Sequence, residues 1–193
     1  MLHPSEMLAL TRRDLVFPAD LNHDSSSLYI RVRDPKTARF ARRQHSRVDD
    51  QSIIRLALSV FGNLQLDEKL FPGSMHVFRR QWNAIMDHLG VPCRQQVHGA
   101  TPGVLRGSGA TYYYTATEDL SWVAWRGRWA RVKTLEYYLQ EVGSQMLIHE
   151  LDSWAKARIF PLAEAAPAVL SHVFNLAEQN TRGGYDISGS FRI

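Results

Sequence analysis

The spacing of apolar and polar residues divides the chain into a short sheet-forming region near its start and a longer helical remainder. Residues 28–33 (LYIRVR) alternate apolar and polar side chains and are rich in β-branched residues, which is typical of a strand. Residues 13–17 alternate briefly, and the stretch 39–48 is expected to return as a partner strand after the turn residues 34–37. The pattern predicts an antiparallel sheet of two or three strands, preceded by a short helix over 4–10.

Helical spacing dominates from residue 50 onward. Helices are predicted over 52–61, 76–89, 101–114, 118–125, 134–151 and 163–179. In the second of these, large apolar residues recur at helical spacing and predict a face packed in the core: Phe78, Trp82, Ile85 and Leu89. The expected fold class is therefore mainly α with a small antiparallel β-sheet near the N-terminus. We expect a single domain over 1–180 and a flexible tail over 181–193, where glycines cluster.

The overall composition excludes several classes of protein. A hydrophobic share of 45% and a charged share of 22% over 193 residues are those of an ordinary globular chain, so wholesale disorder is excluded. The single Cys93 can form neither an internal disulfide nor a cysteine-based zinc site. No apolar run approaches a membrane span, and Met1 is not followed by a signal region. We predict a soluble, intracellular protein, nuclear or cytoplasmic (nucleoid) depending on the host, with no membrane partner.

The basic residues point toward a polyanion. The formal net charge is +4, and only four of the 23 basic residues are lysines. Arginine presents a planar fork that binds two phosphate oxygens at once, whereas lysine acts as a point charge. This bias suits nucleic acid as a partner, although an ordinary solvated basic surface has the same composition.

Three sequence features that can signal a metal or phosphate site do not support one here. His149-Glu150 is not followed by a second histidine at zinc-protease spacing. The glycines of Gly107-Ser108-Gly109 fall inside a predicted helix with no strand before it, so they make a poor phosphate loop. The eight histidines have no ligand spacing, so no metal site is predicted.

One set of residues has an ordered spacing. Trp129 follows Arg106 by 23 residues, and Tyr138 follows Trp129 by nine, while Lys36 lies in the predicted hairpin turn and His3 opens the phrase LHPSEMLAL. In order and spacing, this set resembles the catalytic domain of tyrosine recombinases, the phage-integrase family, whose chemistry is shared by type IB topoisomerases. The family pattern is an arginine, a hairpin lysine, a His-x-x-Arg helix, a His or Trp, and a tyrosine nine residues later. The resemblance spans residue 2 to about residue 142.

The resemblance implies a tyrosine recombinase-like fold and DNA strand breakage and rejoining in site-specific recombination or integration, through a covalent 3′-phosphotyrosine intermediate and with no cofactor. Tyr138 would be the nucleophile, and Trp129 would line the site and donate its indole N–H to the phosphate. Tyr137 is a rival nucleophile because it lies nine residues after Arg128, but Trp129 matches the His/Trp position better.

Two further catalytic roles follow from the chemistry of phosphodiester cleavage. The transition state carries extra negative charge on the non-bridging oxygens, which the fork of Arg106 would stabilise. The departing 5′ oxygen needs a proton, which Lys36 would supply as a general acid. Without the spacing to Trp129 and Tyr138, Arg106 would sooner be interpreted as a surface ion-pair arginine, and a lysine in a hairpin turn such as Lys36 is more often simply solvated.

The chain departs from the family pattern at three points. His3 stands where the first arginine is expected, and it lacks the permanent charge and the fork of an arginine. Gly103 replaces the histidine of His-x-x-Arg, and the chain begins at the first motif, without the family's N-terminal DNA-clamping domain. We therefore expect weak or absent cleavage. The alternatives are a catalytically inactive DNA-binding or protein-interaction remnant of a mobile-element recombinase, and an unrelated helical protein with a chance match.

Double-stranded DNA is the expected partner. Basic residues of the hairpin region and of the segment before Tyr138 are candidate phosphate contacts: Arg31, Arg33, Arg39, Arg42, Arg43, Arg128, Arg131 and Lys133. The apolar stretches 163–168 and 170–176 could dock on a second subunit, giving a homo-oligomer such as a tetramer on DNA, or could pack within the chain.

Overall fold

The computed structural model describes residues 1–21, 25–33, 45–94, 99–139 and 141–182. Its helices and strands are, in chain order, α1 (Pro4–Leu8), β1 (Leu15–Val16), β2 (Leu28–Arg31), β3 (His45–Val48), α2 (Gln51–Phe61), α3 (Met75–Leu89), α4 (Val104–Thr117), α5 (Leu120–Gly127), α6 (Val132–Glu136), α7 (Glu141–Glu150) and α8 (Ser153–Arg182). This confirms a mainly helical chain with a small antiparallel sheet. The predicted tail lies almost wholly outside the described residues.

The three strands form one antiparallel sheet in the order β1-β2-β3. Alternation along the strands directs Leu15 and Leu28 to one face, where they pack with Phe17 and with Ile54 of α2 in a buried cluster. The side chain of Asp50 caps α2 by accepting hydrogen bonds from the first backbone N–H groups of that helix. The sheet and α2 therefore form the first of two hydrophobic cores.

The second core joins α4, α5 and α6. Ala110, Val123, Ala124 and Leu135 are buried in it, and partly buried side chains surround them, including those of Met1, Trp129 and Leu139. The small alanines let the helices approach closely. Arg106, Trp129 and Tyr138, three of the residues that the sequence assigns to catalysis, lie at the edge of this core, so its packing determines their relative positions.

Two ion pairs hold other segments of the chain against the end of α5. Arg126 at the end of α5 pairs with Asp49, which follows β3. Arg128, two residues later, pairs with Glu6 of α1 at 2.6 Å. The start of the chain and the sheet are thereby fixed against the end of α5.

The apolar face predicted for α3 is only partly covered. Phe78, Trp82 and Leu89 are half-buried, but Ile85 is 56% exposed. The prediction of a core face is therefore wrong at Ile85, because α3 packs mainly on the side that meets α8 and the segment before α4. There the Trp82 indole donates a hydrogen bond to the carbonyl of Ala100 at 2.6 Å. Gly90 ends α3 in the left-handed conformation, with φ of 73°.

The predicted long helix over 134–151 is divided into α6 and α7. The turn after Glu136 ends α6, and the backbone N–H of Tyr138 donates to the carbonyl of Leu135 in a tight 2.7 Å hydrogen bond. Periodicity alone did not predict the break, because the apolar spacing continues across it. Tyr138 therefore lies in a turn between two helices rather than inside one.

The last helix is longer than predicted and begins ten residues earlier. It starts at Ser153, where Asp152 accepts a hydrogen bond from the backbone N–H of Ala155, and it packs on α2 and α3. Several of its apolar side chains remain about half exposed: Phe160, Leu162, Val169, Leu170, Val173 and Leu176. Within the described part of the chain, no helix combines the length and apolarity that crossing a membrane requires.

Candidate active site

Arg106 lies in the first turn of α4 and its guanidinium points across the second core. Its Nη1 donates to the carbonyl of Met1 at 2.8 Å, and its Nη2 donates to the carbonyl of Gly127 at 2.9 Å. The guanidinium carbon lies 4.2 Å from the centre of the Trp129 ring, in a cation–π stack. Two segments that are far apart in sequence, the start of the chain and residues 127–129, therefore fix this side chain.

Trp129 connects Arg106 to Tyr138. It follows α5, and its ring centre is 5.4 Å from that of Tyr138, with the two planes inclined at 59°. Gly127 makes room for the indole, because a Cβ atom at that position would overlap the six-membered ring of Trp129. The three residues that sequence spacing predicts to converge thus form a series of contacts through Trp129, called here the Arg106 stack.

The two neighbouring tyrosines differ in exposure. Tyr137 is 75% exposed, whereas Tyr138 is 36% exposed and in contact with Trp129. Both border a groove of about 860 Å³ between α4 and α7, whose wall also includes Gly103, Gly107 and Glu150. Of the two tyrosines, Tyr138 is the one that contacts Trp129, the residue on which the Arg106 guanidinium lies.

A glycine in α4 sets the position of the turn that carries Tyr138. A Cβ atom added at Gly107 would lie 3.2 Å from the backbone carbonyl oxygen of Tyr138, closer than ordinary van der Waals contact. The absence of a side chain at Gly107 lets the turn after α6 lie directly against α4. The glycines of the 107–109 segment therefore serve helix packing, in agreement with their predicted helical location.

A second arginine immediately follows Gly127, whose carbonyl accepts a hydrogen bond from Arg106. Arg128 is buried, and its Nη2 donates to the Glu6 carboxylate at 2.6 Å, across 122 residues of sequence. Neither Nε nor Nη1 of Arg128 has a hydrogen-bond partner among the described residues. The residue also has φ of 63°, a left-handed conformation that is uncommon outside glycine.

Burial and neighbouring charges shift the ionisation of these groups. Burial, followed by the charge of Arg128, lowers the pKa of Arg106, while Glu6 and Tyr138 act in the opposite direction. For Glu6, burial acts to raise the pKa, but hydrogen bonds from the His3 backbone N–H and from Arg128 outweigh it and lower the pKa. The lowered pKa of Glu6 favours its carboxylate form, whereas burial disfavours the charged form of Arg106.

His3 has a structural role in α1 that the sequence did not predict. Its Nδ1 accepts a hydrogen bond from the Ser5 backbone N–H, and its own backbone N–H donates to Glu6, which completes a capping box. An Nδ1 that accepts this bond leaves the ring proton of a neutral imidazole on Nε2. His3 caps the helix that carries Glu6, the partner of Arg128.

The other predicted site residues are placed as follows. Lys36, the predicted general acid, lies outside the described residues, as do three of the candidate DNA contacts: Arg39, Arg42 and Arg43. Gly103 immediately precedes α4 and is exposed at the groove. No interaction of Lys36 with the Arg106 stack can be described.

The candidate DNA contacts that the structure describes differ in their exposure to solvent and in their ion pairing. Arg31, Arg131 and Lys133 are exposed. Arg33 is half exposed, and its Nε donates to the buried carboxylate of Asp14 at 2.6 Å. Arg128 is buried against Glu6, so it does not present its charge on the surface as a predicted DNA contact should.

No cluster of metal-ligating side chains occurs among residues 1–182 outside the gaps given above. Comparison of the chain with protein-family models, curated proteins and solved structures found no match. The case for function therefore depends on the arrangement of Arg106, Trp129 and Tyr138. The Arg128–Glu6 pair that supports them was not predicted, because nothing in the spacing of two residues 122 positions apart signals a contact.

Proposed function

We propose that the protein binds duplex DNA and retains the active site of a DNA strand-breaking and rejoining enzyme, with Tyr138 as nucleophile. The observation that carries this proposal is the stack of Arg106, Trp129 and Tyr138, with 4.2 Å between the guanidinium carbon and the indole and 5.4 Å between the two rings. A cation and a partly exposed phenol that contact the same indole suit a site where a tyrosine attacks a phosphodiester.

The proposed reaction conserves bonds and charge. The Tyr138 oxygen attacks phosphorus while the bond to the 5′ oxygen breaks, so a 3′-phosphotyrosine and a free 5′ hydroxyl result. The phenolic proton leaves to solvent or a base, and the departing oxygen takes one proton, for which Lys36 is the candidate donor. Rejoining is the reverse reaction, so no cofactor or external energy source is required.

Arg106 and Trp129 have complementary roles in this scheme. Arg106 stabilises the negative charge that grows on the non-bridging oxygens in the transition state. Trp129 keeps the guanidinium and the phenol on the same side of the core by contacting both. Holding the guanidinium and the phenol in place before the reaction lowers the activation barrier, because the two groups do not have to be rearranged during the reaction.

The site also explains why we expect slow cleavage of ordinary DNA. Two nitrogens of Arg106 already donate to the carbonyls of Met1 and Gly127, so a phosphate must compete with these acceptors. His3 caps α1 instead of supplying a second guanidinium. Loss of one transition-state donor typically costs about a hundredfold in rate.

The test uses a nicked duplex in which a sulfur replaces the 5′ bridging oxygen at the scissile bond. A thiolate leaves without a general acid, so the assay isolates the nucleophile and the phosphate donors. We expect a covalent protein–DNA band with the native protein and with Tyr137→Phe, and none with Tyr138→Phe. Equal bands for the native protein and Tyr138→Phe would contradict the proposal.

A second candidate function is DNA binding without cleavage. It is favoured by the engagement of Arg106 with backbone carbonyls, which is also what a purely structural arginine would do. In that case the native protein retards duplex DNA in a gel but forms no covalent band with the sulfur substrate.

A further inference from the structure

The groove beside Tyr138 lies between one face of α4 and one face of α7. Its lining includes Gly107 and Thr111 on the α4 side and Met146 and Glu150 on the α7 side. Residues four positions apart share one face of a helix, so the two helices line the groove from opposite sides. Its volume of about 860 Å³ is typical of pockets that hold small organic ligands. The groove is therefore large enough to hold a flat ring of nucleobase size.

The charge of this groove does not suit the phosphate backbone of DNA. Among the lining residues that the structure describes, Glu150 is the only one with a charged side chain. None of the ion pairs in the described part of the chain involves Glu150. A phosphate inside the groove would be repelled by this carboxylate and would meet no cation there. An uncharged part of the DNA suits the groove better than a phosphate does.

Two phenol rings border the groove. Tyr137 is 75% exposed, Tyr138 is 36% exposed, and both belong to the groove lining. An aromatic ring can stack on any unpaired base, because every base has a flat face. Since Tyr138 is the proposed nucleophile, a base held in this groove would belong to a nucleotide next to the attacked phosphate.

Glu150 restricts which base fits the groove. An ionised carboxylate accepts hydrogen bonds but cannot donate one. Cytosine and adenine carry an exocyclic amine that can donate to it, whereas thymine has a carbonyl oxygen at the equivalent position. A base must leave the helical stack to enter a groove in a protein, and this costs least when the base is unpaired. The groove therefore favours an unpaired base that carries an amine.

We propose that the groove holds one unstacked base, cytosine or adenine, so that the preferred substrate is DNA with such a base unpaired beside the attacked phosphate. This inference rests on the proposed function and specifies its substrate class. Glu150 accepts a hydrogen bond from the exocyclic amine of the base, and the attacked phosphate stays outside the groove. Glu150 thus determines specificity and takes no part in breaking the phosphodiester.

The test compares three labelled duplexes by fluorescence anisotropy at constant salt: one fully paired, one with a single bulged cytosine and one with a single bulged thymine. We expect the native protein to bind the cytosine duplex at least about tenfold more tightly than either of the others. In Glu150→Gln the difference between cytosine and thymine should disappear, because a glutamine amide both donates and accepts. The matched control, Glu164→Gln, makes the same charge change at an exposed position of α8 and should retain the difference.

The comparison of cytosine with thymine is decisive, because both bulges distort the duplex but only cytosine offers the amine. Equal affinity of the native protein for the two bulged duplexes would overturn the proposal. An undiminished preference for cytosine in Glu150→Gln would overturn it as well.

The covalent assay with the sulfur-containing duplex separates this proposal from the proposed function. A covalent band that depends on Tyr138, found together with no preference for bulged cytosine, contradicts the base-binding groove and leaves strand cleavage standing. A preference for cytosine that depends on Glu150, found without any covalent band, supports the groove and contradicts strand cleavage.

Discussion

At the scale of single residues, the site depends on a few contacts between distant parts of the chain. Arg106 reaches Met1 and Gly127, and Arg128 reaches Glu6. These contacts carry charge into a region with little water, where each partner depends strongly on the other. The residue-scale predictions therefore concern Glu6, the carboxylate on which the buried cation depends.

Replacing Glu6 by glutamine should destabilise the protein markedly. The substitution keeps the shape of the side chain but leaves the Arg128 charge buried without a counter-charge, which costs about 3 kcal/mol or more of unfolding free energy. Urea denaturation followed by tryptophan fluorescence measures the change. The control is Asp67→Asn, which breaks the exposed pair with Arg13 and should cost less than about 1 kcal/mol. Similar losses in both variants would contradict the buried pair.

The ionisation of Glu6 also leads us to expect that the free energy of unfolding decreases at acid pH. The pKa of Glu6 lies below its usual 4.5 in the folded protein, so the folded state favours the ionised form. Its stabilising contribution is complete above pH 4.5 and is lost as the pH falls through the lowered folded value. Denaturation midpoints measured from pH 6 downward should fall more steeply for the native protein than for Glu6→Gln. Parallel curves would show that Glu6 does not titrate with folding.

At the scale of helices and strands, sequence patterns predicted most elements but missed some of their boundaries. The alternation in 28–33 was sufficient to predict β2, and the capping and stop signals were sufficient to predict α2 and α3, because these signals act locally. The break between α6 and α7 was missed, since apolar spacing runs through it and the turn is stabilised by packing on α4. Likewise, the exposure of Ile85 depends on which neighbours α3 meets, and local spacing carries no such information.

The close contact between α4 and the turn after α6 gives a prediction for activity. Gly107→Ala improves helix propensity but puts a methyl group 3.2 Å from the Tyr138 carbonyl, so the turn must shift by a few tenths of an ångström. We expect little change in unfolding free energy but at least about a tenfold slower formation of the covalent band, because small displacements of a nucleophile are costly.

The control for this variant is Gly103→Ala. Its added methyl group would meet only the Thr101 hydroxyl oxygen at 3.5 Å, an ordinary contact, near the same end of α4. An unchanged rate in Gly107→Ala, or an equal loss in both variants, would show that the position of the turn does not control the nucleophile.

At the scale of the whole molecule, the described chain contains two hydrophobic cores, and the Arg126–Asp49 ion pair joins the helix of one to the sheet of the other. Arg106, Trp129 and Tyr138 come from different segments, and the sequence connects them only because their spacing resembles that of a known family. Their convergence depends on the second core, whose packing no local pattern predicts. Several apolar side chains of α8 are about half exposed, and no described residue covers them. The homo-oligomer that would cover them stays a prediction.

Exposed cations near the site should contribute to DNA affinity through phosphate contacts. Arg131→Ala and Lys133→Ala, both at exposed positions on or beside α6, should each weaken binding of duplex DNA of any sequence and reduce the salt slope by about 0.9. The control is Arg158→Ala, whose guanidinium stacks on Trp154 at 3.5 Å, away from the stack. Fluorescence anisotropy between about 50 and 200 mM salt gives the slopes. Equal slopes in all variants would exclude α6 from the interface.

The most direct test of the convergence of Arg106, Trp129 and Tyr138 is to locate the attached DNA on the protein. After reaction with the sulfur-containing duplex and nuclease digestion, tandem mass spectrometry of the tryptic peptide 134–156 distinguishes its two adjacent tyrosines. The account predicts a nucleotide mass on Tyr138, which contacts Trp129, and none on the more exposed Tyr137. Modification of Tyr137, or of a residue outside this peptide, would contradict it.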